Sequence, residues 1–450
     1  MSNVAKDFVK EIDQVFNNDL PLRVKSRAKY AFLDYICVTL AGAEYNRSKL
    51  EKYLALSDGE EARYCIIGIE SKASLKDAVF LNGLSAHSLD YDDGTNAGII
   101  HLGSPIFSVL LGIAEKYDIG LDRFYRAVVA GYEASFSMAY AMQPIHKKKG
   151  YHATGTCGII GATLAICYAL NYTEKEKFNA FSTACISASG MLKVLDESSE
   201  LKPYNVAKTA LMALVSAQMA KAGFEGPEDP LGGARGYFAM MTGNKDLIPT
   251  KPCLDSISAI ERAYIKPYAA CRYCHPSIEC SIKIRQQLLE KEEIRSINRI
   301  EVRTYSLAIN GHDHIHITNA SSAKMSIPYS VCVALLFGKA GLGEYSDKLI
   351  DNTEINELIK KVEVIADDEM DAHFPEKQIA SVRVLTRNEI YEESVEYPKG
   401  EMQNPFSEDE FEHRFFEMCR YAGKSEEVIA LLYDAVLAEN KSVKEIVSIL

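Results

Sequence analysis

From residue 4 to about residue 224 the chain repeats apolar residues three or four apart, segment after segment, with almost no alternating stretch between them. That period belongs to helices packed through one face, so the first half is restricted to a helical architecture. The clearest segments are residues 21–43, 74–89, 104–117, 122–142, 155–170, 174–192 and 205–223. After a Gly- and Pro-rich stretch over residues 226–252, alternating segments appear at residues 299–304, 362–366 and 381–385, the mark of strands. Residues 404–450 return to the helical period, with Glu408, Phe411, Phe415 and Met418 on one face. The expected fold is mainly α: a large all-helical domain over residues 1–262, completed by residues 398–450, and a smaller α+β domain over residues 263–397. On this reading the connections at residues 226–264 and 397–405 lie near an interdomain cleft, where ligand sites tend to form.

Bulk properties narrow the function. With 450 residues, 47% hydrophobic and 25% charged, the chain is too long for one ordinary core and suits two globular domains. A net charge of −12 argues against a nucleic-acid surface but leaves room for a local basic pocket. The first 16 residues mix charge with apolar positions, unlike a signal peptide, and no apolar run reaches the length of a membrane span. The expectation is a cytoplasmic protein with small-molecule partners, its 11 cysteines reduced.

The segment "GYHATGTCGIIGATLAICYAL" (150–170) lacks the preceding strand and the G-x-G-x-x-G spacing of a dinucleotide site. Gly158 and Gly161 are read as close-packing positions on one helical edge. His152 and Thr154 differ: Thr154 reads as an N-cap, and the helix start behind it would attract an anion toward His152. Lys202 and Lys266 each precede a proline, which favours a first helical turn, so both are read as cations at helix starts. Arg272 and His275 lie three apart ahead of a further helical stretch. Cations and helix starts in this number suit a substrate with two or three carboxylates. In "LSAHSLDYDDG", His87, Asp90 and Asp93 fall on one face near a helix C-terminus, where negative charge is disfavoured. Such a local conflict points to function, with Asp90 orienting a base and His101 the nearest downstream imidazole.

Two other patterns are weaker. Cys271-Arg272-Tyr273-Cys274-His275 spells the c-type haem signature, and with Cys280 a zinc set, but neither export nor a second ligand pair accompanies it. His312, His314 and His316 alternate as on a strand and read as an exposed polar face, so no metal is assigned.

Seven stretches in order, "AHSLDYDDG", "GYHATGTCGIIGA", "ELKPYNVAKTAL", "GPEDPLGGARGYF", "KPYAACRYCHPSIE", "AKMSIPYSVCVAL" and "YPKG" with "NPFSEDEFEHRF", resemble the MmgE/PrpD family across nearly the whole chain. That family includes 2-methylcitrate dehydratase, cis-aconitate decarboxylase and iminodisuccinate epimerase. The resemblance implies a helical domain with an α+β lid, a homodimer, an active site between the domains, and no metal or organic cofactor. It places Asp90, His101, His152, Lys202 and Lys266 at active-site positions, with Arg272 and His275 in the matching cleft motif. The function expected is a lyase, foremost a dehydratase, that removes a proton α to a carboxylate of a di- or tricarboxylate. Epimerisation of an amino- or imino-dicarboxylate and decarboxylation of a cis-aconitate-like acid are the alternatives.

Overall fold

The computed structural model describes residues 3–57, 62–195, 199–254 and 256–450; Met1 and Ser2 of the N-terminal stretch lie outside them. Helices dominate the first half, as the periodicity requires. Val4–Asn17 is capped by Asn3, whose side chain accepts from the Lys6 N–H. Leu22–Leu54 runs well past residue 43, because residues 44–54 are mostly strong helix formers and Glu44 pairs with Arg47 one turn on. Leu75–His87, Gly103–Tyr117 and Leu121–Met142 pack against it, and Gly158–Ala169 and Lys202–Lys221 pack on these in turn, as a mostly buried bundle.

Three details differ from the sequence reading. The expected 155–170 helix breaks at Cys157 into a turn, Ala153–Thr156, and the long helix Gly158–Ala169. The 174–192 segment stops at Ser187. A hairpin of β1 (Tyr64–Ile66) and β2 (Ile69–Ala73) interrupts the helical half, its strands too short to show alternation.

Two glycines set the bundle geometry. A Cβ on Gly161 would stand 2.1 Å from the Gly131 carbonyl oxygen, so Gly158–Ala169 and Leu121–Met142 cross backbone to backbone. Gly161 is thus the close-packing position expected from the sequence. A Cβ on Gly83 would stand 3.0 Å from the Ala207 Cα. This close crossing brings Leu75–His87 and Lys202–Lys221 together.

In the second half a four-stranded sheet has the order β4-β3-β5-β6, with β3 (Arg299–Thr304) parallel to β4 (Val362–Ala366) and antiparallel to β5 (Ala380–Leu385). The strand β6 (Ile390–Val395) pairs with β5 and escaped the sequence reading because Glu392 and Glu393 mask its alternation. The helix His275–Glu290 covers β5 and β6 and packs on Ile327–Phe337. Residues 312–316 are not a strand. At the C-terminus, Glu408–Tyr421 and Glu426–Ala438 pack on Leu22–Leu54, and Val443–Val447 on Gly103–Tyr117. Three segments meet between the halves: Gly94 and Tyr264 exchange backbone hydrogen bonds, and the Ile265 N–H donates to the Gly400 carbonyl at 3.0 Å. Among the described residues no helix is long and apolar enough to cross a membrane.

Candidate active site

Leu75–His87 ends at His87, and the chain then turns sharply, with Asp90 in the left-handed region at φ 51°. Asp90, Asp92 and Asp93 are therefore loop residues rather than one helical face, and all three are buried. The turn points Asp90 at two ammonium groups. Lys202 Nζ donates to Asp90 Oδ1 at 2.8 Å, and Lys266 Nζ donates to the same oxygen at 3.0 Å and to the Asp90 carbonyl at 2.5 Å. Burial alone would raise the Asp90 carboxyl, but the two lysines reverse this and hold it well below the carboxylate range. Asp90 raises Lys202 in return, against the effect of burial.

Lys202 is the first residue of its helix, as expected, with Leu201 as N-cap. Lys266 is not at a helix start: it lies in an irregular segment just past the Gly94–Tyr264 bridge. Its buried ammonium is fixed by Asp90, and Arg414 donates to its backbone carbonyl at 2.8 Å.

His101 is oriented by a different aspartate than the sequence suggested. Its Nδ1–H donates to the Asp93 carbonyl at 2.7 Å, while Asp90 Oδ1 is 3.9 Å from Nε2. The Nε2 lone pair thus faces the lysine–aspartate cluster. Burial pushes the ring down to about 3, so it is neutral at physiological pH. Thr154 is not an N-cap; His152 holds that place, and the Thr154 hydroxyl accepts the His101 backbone N–H at 3.0 Å. In His152 the tautomer is the reverse: Asn205 Nδ2 lies 3.3 Å from Nδ1 and also donates to the Met191 carbonyl, which leaves the His152 proton on Nε2. Burial, with His87 and Lys202 beyond it, keeps this ring neutral too. The two rings lie 6.5 Å apart, His101 exposing a lone pair and His152 carrying an N–H.

These groups line a cavity of about 70 Å³ together with Tyr264, Arg272 and His312. Among the described residues its wall carries four cations, Lys147, Lys202, Lys266 and Arg272, against one carboxylate, Asp90. Arg272 ion-pairs with Glu401, and its Nε has no hydrogen-bond partner among the described residues. His275 does not line the cavity; its Nε2–H donates to the Ala270 carbonyl and its Nδ1 faces Arg272 at 3.2 Å, so it supports the guanidinium from behind. A second cavity of about 70 Å³ shares Asp90, Leu195, Lys202 and Met325 with the first and adds Lys324. Lys324, which the sequence reading passed over inside "AKMSIP", is buried and pushed down to about 8 by burial, with the neighbouring lysines adding to the effect. A larger cleft of about 480 Å³ lies beyond Thr95 and Asn96, but Glu133 there is already tied to the Cys253 and Ala259 N–H groups.

Among the described residues, His87, Asp90, Asp92 and His101 are the one group close enough together to hold a metal. The charges do not suit one: Asp90 is neutralised by two lysines, and Asp92 is occupied by His87 at 2.9 Å and Ser104 at 2.6 Å. Cys271, Cys274, Cys280 and His275 form no such group.

The buried imidazoles make stability pH-dependent. His101 and His146 are held down at about 3 and 4, and His152 and His275 are also lowered, chiefly by burial. The unfolded chain protonates near pH 6.5 while the folded chain resists, so stability is full above that pH and falls as pH drops toward the folded values. Each ring contributes up to about 1.4 kcal/mol per pH unit. Asp93 and Glu133, pushed up to about 7 by burial, act the other way over the same range, so comparison with His146→Gln isolates the imidazole effect. Wild type is expected to lose a few degrees more of melting temperature than His146→Gln between pH 7.5 and 5, and equal losses in differential scanning fluorimetry would contradict this.

The chain matches the MmgE/PrpD N-terminal domain over residues 6–249 and the MmgE/PrpD C-terminal domain over residues 268–438. It is similar to the cis-aconitate decarboxylase-like protein oryM of Aspergillus oryzae, 24% identical over 439 residues covering 92% of this chain and 90% of that protein. Cis-aconitate decarboxylase of Aspergillus terreus is 23% identical over 440 residues, 92% and 89% of the two chains. The human cis-aconitate decarboxylase is 20% identical over 356 residues, 75% and 71%. Asp90, His101, His152 and Lys202 fall within the first matched domain, Arg272 and His275 within the second, and Lys266 on the connection between them. With both domains matched in order, the chain belongs to the MmgE/PrpD family.

Proposed function

We propose that this chain is a cofactor-independent lyase that removes a proton from the carbon next to a carboxylate of a di- or tricarboxylate, and foremost a dehydratase. The observation that carries this reading is the meeting of Lys202 and Lys266 at Asp90, beside two neutral imidazoles of opposite tautomer. A carboxylate acidifies its α-carbon poorly, because deprotonation builds a dianion. Fixed cations lining a small cavity offset that charge as it develops. His101 Nε2 takes the proton; His152 Nε2–H is placed to donate toward a leaving hydroxyl or back to carbon. Asp90 holds the lysines, while Arg272 and Lys147 bind the remaining carboxylates, with His275 and Thr154 supporting the cavity wall.

Decarboxylation of a cis-aconitate-like acid is the second reading, supported by the relatives, which carry that activity in their names at 20–24% identity. Loss of CO₂ also leaves a carbanion that a neutral His152 could protonate. An epimerase would need only the first step and its return. We place residues 263–397 as a lid. A cavity of about 70 Å³ is far smaller than an ordinary ligand pocket, so this segment would have to move for a polyacid to enter. A homodimer in the cytoplasm completes the proposal.

A thermal-shift screen of di- and tricarboxylates identifies the ligand, since occupancy at 100 times Kd adds about 2.7 kcal/mol. Incubation in deuterated water then separates the reactions: an alkene product without CO₂ indicates a dehydratase, CO₂ release a decarboxylase, and label uptake at constant composition an epimerase. Lys202→Met and His152→Ala are expected to lower kcat about a hundred- to a thousandfold, with the melting temperature within a few degrees of wild type. Wild-type kcat in either variant would remove that residue from the mechanism.

A further inference from the structure

Cys271 has no part in the reaction proposed above, yet it faces the same cavity. It precedes the short turn Arg272–Cys274, and its N–H donates to the Lys324 carbonyl at 2.8 Å, which fixes the backbone. Its Sγ lies 3.3 Å from His312 Nε2, and both residues line the catalytic cavity beside Lys202 and Arg272. His312 is 3% exposed, packed against the Tyr273 ring at 5.2 Å, and its Nδ1 has no partner among the described residues. The Asp90 Oδ2 on the same cavity wall is likewise without one. Most of the other cysteines behave as core filler: burial pushes Cys65 and Cys157 up to about 11 and Cys37 and Cys280 up to about 12. At Cys271 burial acts the same way, but the His312 charge and hydrogen bond, with Lys202 beyond, bring the thiol below its ordinary range.

We propose that Cys271, with His312 as proton carrier, is a covalent acceptor for unsaturated polycarboxylates that occupy the cavity. This rests on the polycarboxylate reading of the site and adds a self-limiting reaction to it. The thiol proton passes to His312. The sulfur lone pair then forms a bond to the β-carbon of the alkene, the π pair moves to the carbon next to the carboxylate, and the imidazolium returns its proton there. The product is a saturated thioether and a neutral imidazole, with no further reactant needed. An ionised unsaturated acid ordinarily resists this addition because negative charge accumulates beside its carboxylate. Lys147, Lys202 and Arg272 counter that charge in the cavity.

The test incubates the purified protein with fumarate, maleate or cis-aconitate and reads intact mass and peptide maps. The expected result is a gain of one whole acid per chain on the Cys271 peptide, absent in Cys271→Ser and slowed about tenfold in His312→Ala at pH 7. Iodoacetate and iodoacetamide serve as reach controls: the cationic cavity should favour the anionic reagent at Cys271 and not at Cys253 outside it. Melting temperatures of both variants near wild type exclude misfolding. If iodoacetate modifies Cys271 while none of the three acids does, the proposal is overturned and the lyase reading is untouched. It is equally overturned if neither iodo reagent reaches Cys271. If acids add to Cys271 while no polyacid is turned over, the capture site stands and the lyase reading falls.

Discussion

Asp90→Asn is expected to cost roughly 3–5 kcal/mol of stability and to abolish turnover, the combined signature of a buried charge that also organises a site. Asparagine matches aspartate in shape and tolerates the left-handed backbone at φ 51°, so the change removes charge with little added strain. What remains is two ammonium groups, Lys266 with its side chain 1% exposed and Lys202 with 15%, converging on a neutral amide. Denaturant unfolding of Asp90→Asn and of Asp90→Asn/Lys266→Met measures the effect. The double variant should recover part of the loss, because removing both members of a buried pair costs less than stranding one. An Asp90→Asn protein as stable as wild type would show that the lysines do not depend on this carboxylate.

Arg414→Met is expected to be comparably severe, although Arg414 touches no part of the cavity surface. It sits on the C-terminal helix Glu408–Tyr421 and is buried. It ion-pairs with Asp34 at 2.5 Å, donates to the carbonyls of Lys266 at 2.8 Å and Tyr91 at 3.2 Å, and lies over the Tyr91 ring at 4.7 Å. One guanidinium thus joins the long Leu22–Leu54 helix, the aspartate loop and the lysine segment. Its loss strands the Asp34 carboxylate, which is 2% exposed, at a cost of roughly 3–5 kcal/mol. It also frees the Lys266 backbone, so kcat should fall further than the stability loss alone explains when measured well below the melting temperature. Asp34→Asn combined with Arg414→Met should restore stability without restoring kcat. Recovery of both would mean that Arg414 serves the fold alone.

Much of the helical architecture could be read from local pattern. The 3.6-residue spacing marked every large helix of the first half, and the β3, β4 and β5 segments showed their alternation. Errors came where local signals are short or masked: the β1–β2 hairpin, the charged β6 and the break at Cys157. The cavity residues were partly legible. His152, Lys202 and Arg272 stood out as cations or imidazoles at turn boundaries, and all three line the cavity. Lys324 and His312 did not stand out, since neither a lysine ending the short helix Ala320–Lys324 nor one histidine of an alternating trio signals burial by itself.

The sequence alone determined which segments coil, which edges are small enough for helices to touch, and that cations and imidazoles recur beside turn signals, because these follow from spacing and composition. Only the tertiary structure decided which charge meets which. Asp90 holds Lys202 and Lys266, Asp93 through its carbonyl rather than Asp90 sets the His101 tautomer, and Thr154 receives an N–H instead of capping a helix. These pairings join residues 53 to 176 positions apart, or neighbours across a left-handed turn. Their energies depend on burial and distance, which exist only once the helices have crossed.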